Sequence, residues 1–346
     1  MERLNGIAIA DLDAALDRAD RVLPALRGGR LFLTGGTGFF GRWLLSAIAR
    51  ANLTRGLALR VTVLTRSSAA FQRASPELAA HEPFSFLDGD VRDFAAPDGA
   101  FSHVIHAATD TSAAANARPL ELLDTIVAGT RRVLDFAVSS GAHDFLYVSS
   151  GAVYGPQGGL ERVAETQLAA CDPLELGSVY GESKRLCEQL CAVYRVQHGL
   201  APRVARCFAF VGPLMPLDAH FAIGNFIADA VAGRAIRITG DGTAVRSYLY
   251  AGDLVAWLLR ILIEGTSVRA YNVGSDTGRD LLEIAQLVAR VVPSARGVEV
   301  QGAPSTSPRH RYLPSIDRAR SELDLEVWTS LEQGVAQTAS WARITV

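Results

Sequence analysis

The feature of this chain that most constrains its fold is a short apolar stretch that runs directly into three regularly spaced glycines. Residues 30–34 read Arg-Leu-Phe-Leu-Thr, which is typical of a buried strand, and glycines follow at positions 35, 38 and 41. Such glycines permit a sharp turn, a close approach of the backbone to a pyrophosphate, and tight packing of helix on strand. A glycine triplet alone could be a plain turn, but its place before a predicted helix over 42–50 favours a dinucleotide site. The predicted contacts are Gly35, Thr37, Gly38, Phe39, Phe40 and Gly41.

The stretches that follow alternate between strand and helix patterns. Apolar strands are predicted over 59–65, 84–87, 102–108 and 144–149, and a helix is predicted over 120–138. Such alternation implies right-handed crossovers and a parallel sheet. We therefore expect an α/β fold: a Rossmann-type doubly wound parallel sheet with a smaller α/β substrate-binding lobe.

The predicted organisation has three parts. Residues 1–29 form an N-terminal helical extension, in which Asp11 could cap a helix that carries Leu12, Leu16, Leu23 and Leu26. Residues 30–205 form the dinucleotide-binding domain. Residues 206–346, where Pro and Gly cluster, form the substrate lobe, and part of this segment could return to the first domain.

Composition excludes several classes of protein. The net charge is −2 and neither half is acidic or basic, which argues against a nucleic-acid partner. The chain has no apolar run long enough to span a membrane and no signal-peptide pattern, so we expect a cytoplasmic protein. The spacing of the four cysteines is not that of metal ligands, and we interpret them as reduced thiols in the core. No metal site is predicted.

Residues that follow the later strands are candidates for the rest of the dinucleotide. Arg66 and Ser67 replace the carboxylate that binds the ribose of NAD, and an arginine suits a 2′-phosphate; we therefore favour NADP(H), with NAD(H) possible. The alternative is a solvated Arg66. Asp90 and Val91 could meet the adenine. Small residues at the end of the fourth strand let the backbone pass close to the cofactor; these are Ala107 and Ala108.

Tyr180 and Lys184 stand out because Lys184 is the only lysine among 34 basic residues. On a helix, residues four apart share one face. A phenol beside a fixed ammonium should have a lowered pKa, which suits it to proton transfer near neutral pH. The plain alternative is a helix face with a solvated lysine and a half-buried tyrosine. A serine at the end of the fifth strand could meet the Tyr180 pair at one carbonyl oxygen.

With the glycine loop, Ser150 and Tyr180-x-x-x-Lys184 in this order, the chain resembles the extended short-chain dehydrogenase/reductases. More narrowly, it is similar to the nucleotide-sugar epimerase/dehydratase/reductase group. The resemblance implies that Ser150, Tyr180 and Lys184 are catalytic, and that Tyr180 and Lys184 also contact the cofactor. It implies nucleotide-sugar contacts at Thr109, Ser150, Asn225, Arg246 and Arg311. The alternative readings are a helix cap for Asn225 and a surface ion pair for Arg246.

The departures from the family pattern bear on the reaction. Similar 4,6-dehydratases carry Asp-Glu directly after the catalytic Ser/Thr, and these carboxylates eliminate water. Here Gly151-Ala152 stands in their place and cannot transfer a proton, which argues against a dehydratase. Ile126 and Ala209 occupy positions where the family often has Asn.

The resemblance therefore implies an NADPH-dependent reductase of a nucleotide-linked 4-keto-6-deoxy sugar, in the making of cell-surface polysaccharide such as lipopolysaccharide. A redox-neutral NAD-dependent 4-epimerase is the nearest alternative. A 4,6-dehydratase or a non-catalytic NAD(P)-binding protein is a weaker one. Family likeness also suggests a homodimer through a helix pair.

Overall fold

A seven-stranded sheet forms the centre of the molecule. The computed structural model describes residues 2–109, 113–168, 171–219, 221–303 and 309–345. In chain order, the strands are β1 (Arg3–Leu4), β2 (Ile7–Ala8), β3 (Arg30–Thr34), β4 (Arg60–Thr65), β5 (Phe84–Asp88), β6 (His103–His106), β7 (Asp144–Ser150), β8 (Pro202–Cys207), β9 (Phe210–Val211), β10 (Ile236–Ile238), β11 (Val245–Arg246), β12 (Leu249–Tyr250), β13 (Ala270–Val273), β14 (Arg279–Asp280), β15 (Val298–Val300) and β16 (Arg311–Tyr312).

Helices connect these strands and cover both faces of the sheet. They are α1 (Ile9–Ala19), α2 (Leu23–Leu26), α3 (Phe39–Arg55), α4 (Ser68–Ala74), α5 (Pro76–Ala79), α6 (Ala113–Asn116), α7 (Pro119–Ser139), α8 (Val179–His198), α9 (Ala222–Val231), α10 (Ala251–Glu264), α11 (Leu281–Val291), α12 (Asp317–Leu323) and α13 (Leu331–Thr345). Short 3₁₀ segments lie at Asp20–Val22, Gly151–Tyr154 and Leu176–Ser178.

The strands of the large sheet lie in the order β13-β8-β7-β6-β3-β4-β5, and every neighbouring pair is parallel. The order reverses between β3 and β6, which is where ligands bind in doubly wound sheets. The predicted fold class is confirmed. The two strands at one edge, β8 and β13, were not among the predicted strands; β13 has only four residues and comes soon after a long apolar helix.

Each strand contributes to two hydrophobic cores. In β3, Leu31 and Leu33 pack into the core under α1, α3 and α10, whereas Phe32 packs into the core under α7 and α8. Successive side chains of a strand point to opposite faces, so a strand covered on both faces must be apolar throughout. This explains why β3 reads as a continuous apolar run.

The helix after the glycine loop is longer than predicted. It begins at Phe39 rather than Arg42, with Gly38 as its N-cap, and ends at Arg55. Gly41 therefore lies inside the first turn, not before the helix. At the other end, Gly56 adopts a left-handed conformation with φ of 55°, the usual way for a helix to stop.

The N-terminal residues pack against α10 and α3. Leu12 and Leu16 lie on α1, while Leu23 and Leu26 lie on the separate α2; all four are buried. The expectation that Asp11 caps the helix is wrong, because α1 begins at Ile9 and Asp11 lies in its first turn. The Asp11 carboxylate instead accepts a hydrogen bond from the Tyr250 hydroxyl at 2.7 Å.

The smaller lobe surrounds a third hydrophobic core formed by α9, α11 and α13. It contains the parallel pair β10–β15 and the three-stranded sheet β14-β11-β16. In that sheet Arg246 is in register with Tyr312, in a parallel pairing. Within the described part of the chain, every helix is too short or too polar to span a bilayer.

Candidate active site

The glycine loop has too little room for side chains at two of its three glycines. A Cβ at Gly35, where φ is 74°, would lie 2.5 Å from the Ala107 carbonyl oxygen. A Cβ at Gly41 would lie 2.3 Å from the Gly35 carbonyl oxygen. These glycines let the turn, the first turn of α3 and the end of β6 approach one another closely.

Gly38 differs, because a Cβ there would meet only the Gly35 carbonyl oxygen, at 3.5 Å. The residue is exposed and caps the N-terminus of a 17-residue helix without any side-chain cap. Free N–H groups and the positive end of the helix dipole thus face open space. This space suits the pyrophosphate of a dinucleotide, so the loop fits the cofactor that the sequence predicts. Thr37, Phe39 and Phe40 line the same turn and are half-buried.

The residues predicted beside the ribose and adenine lie at the ends of β4 and β5. Arg66 is exposed, and Ser67 caps α4 by accepting a hydrogen bond from Ala70 N at 3.2 Å. The Asp90 carboxylate is bound by the Arg92 guanidinium, at 2.8 and 2.7 Å, and this lowers the pKa of Asp90. Val91 is buried. An adenine contact by Asp90 therefore has to compete with Arg92.

Lys184 is buried, and its amine is tied to the ends of two strands. Lys184 Nζ donates to the Val148 carbonyl oxygen of β7 at 2.9 Å and to Thr109 Oγ1 at 2.7 Å. Thr109 in turn donates to the Ala108 carbonyl oxygen at 2.6 Å. Thr109, predicted as a substrate contact, thus holds the lysine in this structure. The plain alternative of a solvated lysine is wrong.

Burial lowers the pKa of Lys184 to about 8, because a desolvated ammonium is disfavoured. The charge of Glu188, one turn further along α8, opposes this in part, and Nζ lies 5.0 Å from the centroid of the Tyr147 ring. His106 is also buried, and burial first, then the Lys184 charge, lower its pKa to about 3. Among the described residues, no carboxylate accepts a hydrogen bond from Lys184 Nζ.

Tyr180 lies on the same face of α8 as Lys184, but its pKa moves opposite to the prediction. Burial raises the pKa of Tyr180 to about 12, and a hydrogen bond with the Ser150 side chain opposes this only in part. The expectation of a lowered pKa is therefore wrong. Lys184 Nζ lies 6.0 Å from the Tyr180 ring centroid and is directed to Thr109 and Val148, so desolvation outweighs its charge.

Ser150 ends β7 at the carboxyl edge of the sheet. Its hydroxyl accepts a hydrogen bond from Ala152 N at 3.1 Å and lies within reach of Tyr180. The preceding Ser149 points the other way and donates to Glu188, which also binds the Arg206 guanidinium at 2.6 Å. A cavity of about 350 Å³ opens beside Tyr180, between α7 and the segment before α8.

Tyr312 is a neighbour of Ser150 that the sequence reasoning missed. Its hydroxyl and the Phe208 ring lie over Gly151, where a Cβ would be 2.8 Å from both. The two rings contact each other, with centroids 4.8 Å apart. Burial raises the pKa of Tyr312, and a hydrogen bond with Ser150 opposes this in part. No local motif marks Tyr312, because only strand pairing brings it to the site.

The predicted nucleotide contacts lie in the smaller lobe. Arg246 Nη1 donates to the carbonyl oxygens of Val245 and His310, so its contacts are not a surface ion pair. Burial lowers the pKa of Arg246. Arg311 precedes Tyr312 in β16 and points to the opposite face from it, away from the Arg246 side. Asn225 is exposed in the first turn of α9, whose N-cap is Phe221, so Asn225 is not the cap.

The parallel sheet, the glycine loop and the Ser–Tyr–Lys arrangement at its carboxyl edge define an NAD(P)-dependent enzyme of the extended short-chain dehydrogenase/reductase class. The chain belongs to the NAD dependent epimerase/dehydratase family, whose model matches residues 31–274. The predicted family is thus confirmed, and with it the broad group of enzymes that modify nucleotide sugars.

Relatives and solved structures agree on the family but carry different activities. UDP-glucuronic acid decarboxylase 6 of Arabidopsis thaliana is 30% identical over 315 residues, which are 88% of this chain and 86% of that protein. UDP-glucuronic acid decarboxylase 1 of Danio rerio is 29% identical over 90% of this chain and 72% of its own length. The epimerase Mth375 of Methanothermobacter thermautotrophicus is 26% identical, with a TM-score of 0.73 and 94% of each chain covered.

Gly38→Ala should weaken binding of the NAD(P) cofactor by at least about tenfold, because the added methyl points into the space at the N-terminus of α3. The fold should tolerate it, with an unfolding midpoint within about 2 °C of the wild type, since the methyl meets no close atom. Fluorescence titration and thermal unfolding measure the two effects. Gly159→Ala, at another position with open space, is the control. Unchanged affinity in Gly38→Ala would contradict the proposed phosphate site.

Lys184 should titrate near pH 8 in the folded protein, because its ammonium is desolvated. As the only lysine, it gives one side-chain ¹⁵Nζ resonance after labelling with ¹⁵N-lysine, and NMR then follows that signal against pH. The same sample unfolded in urea should titrate near the ordinary value of 10.5. A folded-state midpoint near 10 would show that the amine is solvated.

The lowered pKa of Lys184 also sets the sign of its effect on stability. Between pH 8 and 10.5 the unfolded chain binds a proton that the folded chain lacks, so this group makes the unfolding free energy rise with pH there. Below pH 8 the buried ammonium costs about 3 kcal/mol of stability.

Proposed function

We propose that the protein is an NADPH-dependent reductase that delivers hydride to C4 of a nucleotide-linked 4-keto-6-deoxy sugar. The observation that carries the proposal is the chemical character of the groups at the end of β7. Ser150 lies beside two phenols, Tyr180 and Tyr312, and Gly151 and Ala152 follow it without a carboxylate. Such a site can donate protons and hydrogen bonds to a carbonyl oxygen, and the two positions that follow Ser150 supply no carboxylate base.

Each residue then has a defined task. The bound cofactor supplies a hydride. Tyr180 gives its proton to the C4 oxygen, so that the ketone becomes an alcohol and the phenol becomes a phenolate, which water reprotonates. Ser150 donates a hydrogen bond to the same oxygen, where negative charge grows in the transition state. Lys184 supplies the positive charge that stabilises the phenolate formed.

A protonated Tyr180 is compatible with the reductive direction. A phenol with a pKa of about 12 is protonated at neutral pH, which is the form that a proton donor needs at the start of a reduction. An enzyme that first oxidises an alcohol needs the phenolate instead. Net reduction also usually draws on NADPH, which agrees with an exposed arginine, Arg66, where NAD enzymes carry a carboxylate.

A redox-neutral reaction is the second candidate. An epimerase would use Ser150, Tyr180 and Lys184 with a tightly held NAD, and the similarity to the epimerase Mth375 supports it. The similarity to UDP-glucuronic acid decarboxylases supports a related cycle, in which oxidation at C4 precedes loss of CO₂. Both alternatives return the hydride to the same substrate, so they consume no NADPH.

Purified protein should oxidise added NADPH faster than NADH when it is given 4-keto-6-deoxy sugars linked to dTDP, GDP, CDP or UDP. Loss of absorbance follows the reaction, and mass spectrometry should find a product two hydrogens heavier. Tyr180→Phe should lower kcat at least about a thousandfold and leave NADPH affinity within about threefold.

Three results would count against this proposal. NAD that survives purification together with 4-epimerised product would favour the epimerase. Release of CO₂ from UDP-glucuronic acid would favour the decarboxylase. Turnover at the wild-type rate in Tyr180→Phe would remove Tyr180 from the mechanism.

We also propose that the protein is a homodimer through α7 and α8. These long helices lie side by side, and they carry exposed leucines such as Leu120, Leu123 and Leu186. Burying such side chains against a second copy removes apolar area from water.

The wild type should sediment as a dimer at micromolar concentration, and Leu123→Glu combined with Leu186→Glu should sediment as a monomer. Leu53→Glu, at an exposed leucine on α3, is the matched control and should remain a dimer. A monomeric wild type at tens of micromolar would contradict the proposed interface.

A further inference from the structure

Three side chains of the kind that bind metal ions meet at the amino ends of β6 and β7, at the opposite edge of the sheet from Ser150. They are His103, His143 and Asp144, and their ligand atoms all lie within 4.8 Å of one another. Within the described part of the chain, no other three His, Cys, Asp or Glu side chains come together in this way. Asp144 begins β7 and Ser150 ends it, so about 20 Å separate this group from the proposed reaction site.

Strand pairing brings the three side chains together. His103 begins β6 and is in register with Asp144, the first residue of β7. The backbone N–H groups of His143 and Asp144 both donate to the Ser102 carbonyl oxygen, at 3.2 and 3.3 Å, which holds the start of β7 against β6. The sequence alone does not show this group, because His103 lies 41 residues before Asp144 and only strand pairing joins them.

Both imidazoles direct the same ring nitrogen at one carboxylate oxygen. His103 Nδ1 lies 3.0 Å from Asp144 Oδ2, and His143 Nδ1 lies 2.8 Å from the same oxygen. The two rings meet edge to face, with centroids 5.1 Å apart. Without an ion, each imidazole can donate its Nδ1 proton to Oδ2. A divalent ion bound at Nδ1 would leave each imidazole neutral, with the proton on Nε2 instead.

The three ligand atoms need only a small movement to surround an ion. Zn²⁺ binds nitrogen and oxygen at about 2.1 Å in tetrahedral sites, which places neighbouring ligand atoms about 3.4 Å apart. The two nitrogen–oxygen distances are shorter than this by about 0.5 Å. His143 can supply the movement, because 65% of its side chain is exposed, whereas His103 is buried. The exposed side also admits the ion and a water ligand.

The remaining polar side chain at Asp144 is Arg203, and it binds the other carboxylate oxygen. Arg203 Nη1 donates to Oδ1 at 2.8 Å, and the guanidinium also donates to the carbonyl oxygens of Ala201 and Gly265. Arg203 therefore orients the carboxylate and leaves Oδ2 free to bind an ion, as hydrogen-bonding partners of ligating carboxylates do in metal sites. Its charge repels a cation, so we expect micromolar rather than nanomolar affinity.

We propose that His103 Nδ1, His143 Nδ1 and Asp144 Oδ2 form a binding site for a divalent transition-metal ion such as Zn²⁺. Two imidazoles and one carboxylate suit Zn²⁺ and leave a coordination position for water. The ion joins the amino ends of β6 and β7 and so stabilises the sheet, far from the proposed reaction site. The inference does not depend on the proposed function.

The first test is calorimetry with ZnCl₂ on metal-free protein that carries no affinity tag. We expect one Zn²⁺ per chain with micromolar affinity, and His143→Gln should weaken binding at least about tenfold. His198→Gln, at an exposed histidine at the end of α8, is the matched control and should bind as the wild type does. No binding at high micromolar Zn²⁺, or equal binding by His143→Gln and the wild type, would overturn the site.

The second test identifies the ligands with Co²⁺ in place of Zn²⁺. Co²⁺ held by nitrogen and oxygen ligands gives visible absorption bands, and a thiolate ligand adds a strong charge-transfer band in the near ultraviolet. The described chain has four free cysteines, so this band would assign the ion to a cysteine. We expect visible bands without the charge-transfer band, and their loss in His143→Gln. A thiolate band in the wild type would overturn the assignment.

The third test measures stability, because an ion that binds the folded chain raises the unfolding midpoint. With Zn²⁺ at about a hundred times its dissociation constant, the midpoint should rise by at least about 2 °C in the wild type and in His198→Gln. His143→Gln should show less than half of this rise. A rise of equal size in His143→Gln would mean that Zn²⁺ stabilises the protein from another place.

None of these measurements uses a sugar or a dinucleotide, so their results are separate from those that test the proposed function. Binding of one Zn²⁺ that depends on His143, together with absence of NADPH oxidation, overturns the proposed reaction and leaves the metal site standing. Reduction of a 4-keto sugar by a protein that binds no Zn²⁺ overturns the metal site alone.

Discussion

Lys184 Nζ donates one hydrogen bond to the Val148 carbonyl oxygen of β7 and one to Thr109, which follows the neighbouring strand β6. These bonds fix α8 against the carboxyl ends of β6 and β7. Tyr180, one turn before Lys184 on α8, is thereby brought beside Ser150. The site therefore depends on burying one ammonium, which is unfavourable unless its donors are satisfied. An arginine in this place would need more acceptors than these two oxygens provide.

A second buried polar network lies behind the site and ties the edge strand β13 to the segments around Val163 and Ser315. Asn272, fully buried in β13, accepts a hydrogen bond from the Tyr154 hydroxyl and donates to the carbonyl oxygens of Val163 and Ser315. Arg206 donates to Tyr154 and pairs with Glu188 on α8. Since buried polar groups are costly when unpaired, this network favours one arrangement of these segments against the sheet. The contact of Phe208 and Tyr312 over Gly151 depends on that arrangement, because the two residues come from distant parts of the chain.

The parts of the fold that the sequence predicted well are those with a local signal. The strand, the glycine loop and the Tyr180–Lys184 spacing depend on residues close together in the chain. The errors have non-local causes. The pKa of Tyr180 depends on burial, which no spacing reveals. Tyr312 was missed because only strand alternation and the pairing of β16 with β11 bring it to the site.

The charges in the site explain why Lys184 need not lower the resting pKa of Tyr180 to be useful. Before the reaction, the ammonium is satisfied by two neutral oxygens, and the phenol is neutral. Once the proton leaves Tyr180, a negative charge forms near the ammonium, whose charge Glu188 offsets only in part. The attraction is then new, so it stabilises the transition state more than the ground state.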